Sequence, residues 1–283
     1  MRFSSSNKAL KSLASLVLDR GQLTAPRGMP TIELLGVQFV LTNPRARIVT
    51  LPSRKFSLPL ALGELCWHLR GDNEVGALAY YAKAWRTFTD DGRHVSGSCY
   101  GRKLLSDSCE GTTAWNRLVN LLRHDPSTRR ATFSFISNEE QVEASRDVSC
   151  VSNIQFLLRG GKIHLFTFMR SNDLFLGLPY DLFLFTYFQE LMSLELGVPM
   201  GEYHHYATSL HIYEHNIVAC KNMAQEQDLP DGYSPKINSK QDLVELAETE
   251  ASIRLGDTSP YRDGPLTAYV EALLDFRQNV HSD

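Results

Sequence analysis

Apolar residues recur at helical spacing through SSSNKALKSLASLVLDRG, with Ser4 to Ser6 as N-cap candidates and Gly21 as the stop. The pattern then changes to runs rich in β-branched residues, and TIELLGVQFVLT and RARIVTL read as strands. LPLALGELCWHLRGD, VGALAYYAKAWRTF and GTTAWNRLVNLLRHD return to helical spacing, while SCYGRK reads as a loop or strand edge. RATFSFI, CVSNIQFLLR and KIHLFTFMRS read as strands, and the last two flank Gly160-Gly161, a hairpin signal. YDLFLFTYFQELMSLELG is apolar all round, which marks a core helix, because a surface helix keeps a polar face. EYHHYATSLHIY alternates weakly and reads as a strand; beyond Cys220 the chain is more polar and less patterned. No repeat or low-complexity linker divides it, so residues 1–283 are expected to form a single α/β (α+β) domain.

Composition narrows the classes. Of 283 residues, 43% are hydrophobic and 22% charged, enough for a sizeable core. A net charge of −3 gives no broad basic face for nucleic acid. Cys66, Cys99, Cys109, Cys150 and Cys220 are odd in number and form no CxxC pair, which predicts free thiols in a reducing, cytoplasmic setting. The cysteines and histidines lack ligand spacing, so no metal is expected. No apolar run approaches the roughly 20 residues of a membrane span, and none reads as a secretory signal.

Two residues carry candidate chemistry. Cys150, in RDVSCVSNIQF, opens a strand; a lone cysteine is ordinarily a small buried hydrophobe. Here arginines lie nearby, and a cation favours the nucleophilic thiolate. The polar residues Ser152, Asn153 and Gln155 follow on an otherwise apolar strand. Glu64, in LGELCWHLRGD, stands on an apolar helix, where a carboxylate is costly without partners.

CVSNIQFLLRGGKIHLFTFMRSNDLFLGLPYD, STRRATFSF and SLHIYEHN, in this order and spacing, resemble the thymidylate synthase superfamily. The resemblance runs from about Arg27 to Asn216. It implies a three-layer mixed-sheet fold, an obligate homodimer packed sheet to sheet, and one-carbon transfer from methylenetetrahydrofolate to C5 of a pyrimidine nucleotide. Cys150 matches the nucleophile that adds to C6. Arg27, Arg170 and Ser171 match the phosphate site, with Arg129 and Arg130 donated across the dimer; guanidinium forks suit phosphate because they give paired, charge-assisted hydrogen bonds. At Arg27 the loop PRGMPT is shorter than the family's and carries Pro30. Glu64 matches the general acid/base and Tyr100 a tyrosine near the thiol. Trp85 matches an aromatic near the folate, Asp173 the carboxylate that meets the pterin, and His211 and Tyr213 the pair on the sugar hydroxyl. Asn153 and Gln155 fall on the same strand, lining the site.

Asp181 stands where thymidylate synthases place an asparagine. An amide offers one donor and one acceptor, fitting the N3–H and O4 of uracil. A carboxylate accepts from the 4-amino group of cytosine, and from N3 when N3 carries a proton, and it repels O4 of uracil. Val151 replaces the usual histidine after the nucleophile, and Ser209 the usual aspartate before H-x-Y. These features resemble the deoxycytidylate 5-hydroxymethylase branch, in which water traps the C5 methylene and folate leaves as tetrahydrofolate. Expected, then, is conversion of dCMP to 5-hydroxymethyl-dCMP. The alternatives are a CMP hydroxymethylase of a nucleoside-antibiotic pathway, a thymidylate synthase or dUMP hydroxymethylase, and a non-catalytic nucleotide-binding regulator. The final DFRQNVHSD does not resemble the family ending.

Overall fold

The computed structural model describes residues 1–106, 108–137, 145–257 and 264–280. In chain order, β1 (Arg2–Phe3), α1 (Ser6–Arg20), β2 (Gln22–Thr24) and β3 (Thr31–Leu41) lead to α2 (Leu58–Leu69) and α3 (Val75–Tyr81). A π-helical turn (Arg102–Ser106), β4 (Ser108–Cys109) and β5 (Thr112–Thr113) precede α4 (Ala114–His124). Then come β6 (Thr132–Ser134), β7 (Val151–Arg159), β8 (Lys162–Met169), β9 (Asn172–Asp173) and α5 (Leu178–Leu196). The chain continues through β10 (Met200–Tyr213), α6 (Ile217–Gln225), α7 (Lys240–Leu255) and α8 (Thr267–Val280). These elements form two compact units: Met1–Phe56 with Asp125–Ser134 and Cys150–Ser234, and Ser57–His124 with Phe135–Ser149 and Pro235–Asp283.

The first unit is built on a mixed sheet in the order β1-β3-β10-β8-β7-β6, with β2 beside β3 and β9 beside β10. β10 runs antiparallel to β3 and parallel to β8, whereas β7 and β8 form the antiparallel hairpin expected from Gly160-Gly161. Both glycines have positive φ, +56° and +70°, which the two-residue turn requires. Strand alternation sorts the side chains. Ile163, Leu165, Met169, Tyr203, His205 and Ala207 are buried, and α1, α5 and α6 pack on this unit's strands. His164, Phe166, Phe168, Glu202, His204 and Tyr206 alternate with them on the other face and are half-buried. α5 is the core helix its composition demands, ending at Gly197 with φ +66°.

The second unit packs α2 against α3, α7 and α8. Glu250 of α7 is buried and ties the unit together: Arg70 and Arg254 pair with it at 2.7 and 2.9 Å, and Tyr81 donates to it at 2.8 Å.

Several expectations need correction. RARIVTL is a loop with one bridge, Ile48 to Gly232, because its alternating arginines turn inward. Arg45 and Arg47 both reach buried Glu190, at 2.8 and 2.5 Å, and Arg47 lies over the Tyr187 ring. VGALAYYAKAWRTF is not one helix: α3 stops at Ala82, whose extended φ of −147° precedes a 3-10 segment, Lys83–Phe88. SCYGRK is neither loop nor edge, because it enters the π-helical turn. RATFSFI pairs only over Thr132–Ser134. Among the described residues, the polar region after Cys220 holds the end of α6 and two further helices, and α7 starts with a capping box between Ser239 and Asp242.

Candidate active site

The β7–β8 hairpin places Cys150 and Arg170 together at the end away from its turn, where the Arg170 amide donates to the Cys150 carbonyl at 2.9 Å. The ladder slips register between Val151 and Asn153. Such a bulge bends a strand and re-aims its neighbours, and here it lies next to the half-buried thiol. Arg170 is exposed and Ser171 half-buried. Arg27 has φ +54°, a left-handed conformation that costs an ordinary residue about 1–2 kcal/mol. The loop is held because the Glu214 amide donates to Pro30 O at 3.0 Å, and the Arg27 guanidinium lies near enough to the Tyr213 hydroxyl to pull its pKa down.

Tyr213 joins several of the expected residues electrostatically. Burial and then the Asp173 charge push its hydroxyl pKa up; Arg27 pulls it down, and the nearby Cys150 thiolate adds to the rise. The Tyr213 ring meets His211 edge-on, with centroids 5.1 Å apart. His211 is buried opposite Glu33 in the β3–β10 ladder, and burial lowers its pKa against the pull of Asp173 and Glu33. Ser209, where a carboxylate is usual in the resembling family, instead donates to the Glu33 carboxylate at 2.5 Å.

Asp173 accepts the Phe175 and Leu176 amides on Oδ1, at 2.8 and 2.9 Å, so the turn into α5 is built on it. Burial nevertheless raises its pKa. Gln155 donates to the Arg129 carbonyl at 2.7 Å and thus braces the loop carrying Arg129 and Arg130, both exposed. Asn153 is half-buried opposite Ser134.

Asp181 lies in the first turn of α5. The residue keeps some exposed surface, yet desolvation of its carboxylate pushes the pKa from 3.8 up to about 7; a hydrogen bond from Asn172 opposes the rise and the Asp173 charge adds to it. Sequence reasoning missed Asn172, 3% exposed, which donates to Asp181 Oδ2 at 2.7 Å. Its Oδ1 lies 2.9 Å from His205 Nε2, and His205 Nδ1 lies 2.9 Å from the Tyr203 hydroxyl. The one signal for it was a polar residue inside MRSND.

The second unit holds the remaining three expected residues. Glu64 is half-buried on α2 and accepts the Trp85 indole N–H at 3.1 Å, so Trp85 fixes a carboxylate besides offering an aromatic face. Tyr100 is 6% exposed and stacks on His68, with centroids 5.5 Å apart, and meets Phe135 edge-on. Gly101 is obligatory beside it: its amide donates to His68 Nδ1, and a Cβ would fall 1.9 Å from the His68 carbonyl oxygen. Asp147, also missed, accepts the Gly97 and Ser98 amides at 2.7 and 2.8 Å and so shapes the approach to Tyr100.

Among the described residues, ligand atoms of His164, Glu202 and His204 lie within 4.8 Å of one another. These groups are already engaged: Arg2 pairs with the Glu202 carboxylate, and His164 Nδ1 accepts the Glu202 amide at 3.0 Å. No helix among the described residues is long and apolar enough to cross a membrane.

The family profile described as Thymidylate synthase matches residues 8–254. The deoxyuridylate hydroxymethyltransferase of Bacillus phage SP01 is 32% identical over 217 residues, covering 71% of this chain and 55% of that protein. The chain thus spans little more than half the length of that relative. Thymidylate synthase 1 of Bacillus subtilis (strain 168) is 27% identical over 203 residues, covering 70% of this chain and 72% of that enzyme. The thymidylate synthase of Bacillus phage phi3T matches with the same identity and coverage.

Proposed function

Because the chain belongs to the thymidylate synthase family, we propose that it moves a one-carbon unit from methylenetetrahydrofolate to C5 of a pyrimidine nucleoside monophosphate, and that it makes 5-hydroxymethyl-dCMP from dCMP. The Cys150 thiolate adds to C6, and C5, now enamine-like, attacks the donor carbon. Loss of the C5 proton and departure of tetrahydrofolate leave an exocyclic methylene. Water adds to it, and elimination of Cys150 restores the ring and the thiolate. Glu64 and Tyr100 handle protons. Arg27, Arg170 and Ser171 hold the phosphate, and His211 and Tyr213 the sugar hydroxyl. Asn153 lines the site, and Gln155 supports the phosphate loop. Asp173, whose Oδ2 makes no hydrogen bond to a described residue, meets the pterin, and Trp85 packs near it.

The observation that carries the cytosine reading is the desolvated Asp181 carboxylate in the first turn of α5. An ionised Asp181 accepts from the 4-amino group of cytosine, and from N3 when N3 carries a proton, and it repels O4 of uracil. With its pKa raised to about 7, the carboxyl is ionised above neutral pH and still close enough in proton affinity to exchange a proton with N3 as the thiolate adds. Ser171 and the Arg129-Arg130 pair resemble the deoxy-specific pattern of the family, which supports dCMP over CMP. A second reading, hydroxymethylation of dUMP, is favoured by the name of the phage SP01 relative. For the homodimer, the half-exposed aromatic sheet face of Phe166, Phe168 and Tyr206 supports a partner copy, to which Arg129 and Arg130 would be donated. The test is tritium release from C5 of dCMP, CMP and dUMP with methylenetetrahydrofolate, followed by mass analysis of the product. Hydroxymethyl-dCMP as the main product supports the proposal. Preferential turnover of dUMP overturns the cytosine reading, and dihydrofolate formation overturns hydroxymethylation.

A further inference from the structure

We infer that Asn172, oriented by His205 and Tyr203, is a positioning residue that holds Asp181 as a hydrogen-bond acceptor and thereby sets the base preference of the site; this rests on the base-reading role proposed for Asp181. The donors and acceptors of each side chain fix the direction of the hydrogen bonds. Asn172 turns its amide N–H toward Asp181 Oδ2, so its Oδ1 faces His205 Nε2. A carbonyl oxygen only accepts, so Nε2 carries the hydrogen. Burial keeps His205 neutral, its pKa pushed down to about 3, so Nδ1 must accept, and the donor is the Tyr203 hydroxyl. The three hydrogen bonds therefore point one way, from Tyr203 through His205 and Asn172 to Asp181. All the donors upstream are buried: Tyr203 and His205 are fully covered, and His205 stacks on Phe39 with centroids 4.9 Å apart.

A directed N–H at 2.7 Å stabilises the ionised carboxylate against desolvation and against Asp173, the neighbouring charged group on β9. Tyr203 and His205, the titratable groups of this network on β10, are hydrogen-bonded to Asp181 through Asn172, and the Asp181 charge also acts on the buried Tyr203 hydroxyl, pushing its pKa further up. An ionised Asp181 repels O4 of uracil. A protonated one turns a donor toward either base and loses that discrimination. Without Asn172 the acid form persists to higher pH, and preference should weaken at neutral pH yet return as pH rises.

The test is kcat/KM for dCMP and dUMP from pH 6 to 9.5 in Asn172→Ala and His205→Phe, the latter keeping an aromatic ring on Phe39. At pH 7 the dCMP:dUMP ratio should fall about tenfold in Asn172→Ala, the scale of one buried hydrogen bond, and less in His205→Phe. It should recover above pH 8.5. A purely structural role would depress both substrates alike and leave the ratio flat with pH; that outcome in both variants overturns the inference. Asp181→Asn runs in parallel. If it leaves the ratio unchanged, the base-reading role itself has failed. If it moves the ratio while the other two variants do not, only the present inference fails.

Discussion

Replacing Asp181 with asparagine should stabilise the protein while weakening its discrimination. In the folded chain the carboxyl pKa rises from 3.8 to about 7 because burial disfavours the anion. A raised carboxyl pKa contributes stability that is fully present below the unfolded value and lost as pH climbs through the folded value. Between about pH 4 and 7 the protein therefore surrenders stability that an uncharged amide would keep. A shift of roughly three units sets a ceiling of about 4 kcal/mol, at about 1.4 kcal/mol per unit. The residue keeps some solvent contact, and the amide forgoes a charge-assisted bond from Asn172, so a gain of about 1–3 kcal/mol above pH 7 is expected. For a chain of this size that is a rise in Tm of about 2–10 °C at pH 8.5, with no gain at pH 4. Differential scanning calorimetry across pH 4–9 measures it. Alongside, the dCMP:dUMP ratio of kcat/KM should move toward dUMP by about 5- to 150-fold, from the ~1–3 kcal/mol cost of an unpaired buried polar group. Equal Tm shifts at both pH extremes, or a lower Tm at pH 8.5, would refute the desolvation argument whatever the kinetics.

Two other outcomes are expected. Cys150→Ser should abolish turnover, a fall of more than about 1,000-fold, and leave nucleotide binding by calorimetry within a few-fold, because a hydroxyl at neutral pH is a far weaker nucleophile than a thiolate; intact turnover would exclude the covalent route. Glu190→Gln should cost about 3–5 kcal/mol in urea unfolding, since Arg47 is fully buried against it and would be left with an uncompensated charge; a loss under about 1 kcal/mol would mean water reaches that pair.

What the sequence made legible was local. Gly160-Gly161 announced the hairpin, and that hairpin alone brings Cys150 and Arg170 together. The capped α1 and the apolar α5 were readable because turn and cap chemistry lies within a few residues of each end. Asn172 was not readable, because its meaning lies in His205, 33 residues away on β10. Arg45 and Arg47 misled for the same reason: their spacing matches a strand, and Glu190, which captures them, stands more than 140 residues later. The indole bond from Trp85 to Glu64 required the chain to break helix at Ala82, and no proline or glycine marks that break. α7 was hidden by its polarity, although Ser239 and Asp242 mark its start.

The two glycines at the hairpin tip act as a ruler for chemistry at the other end of the ladder. One residue inserted there would slide every pair from Arg159 and Lys162 back to Val151 and Met169, and would turn β7 or β8 over face for face. The thiol and the guanidinium would then part, though neither had been touched. Because about twenty residues separate them, closing this loop costs little chain entropy. The pair can thus be assembled by a local event as the chain forms, before β10 arrives to pair with β8.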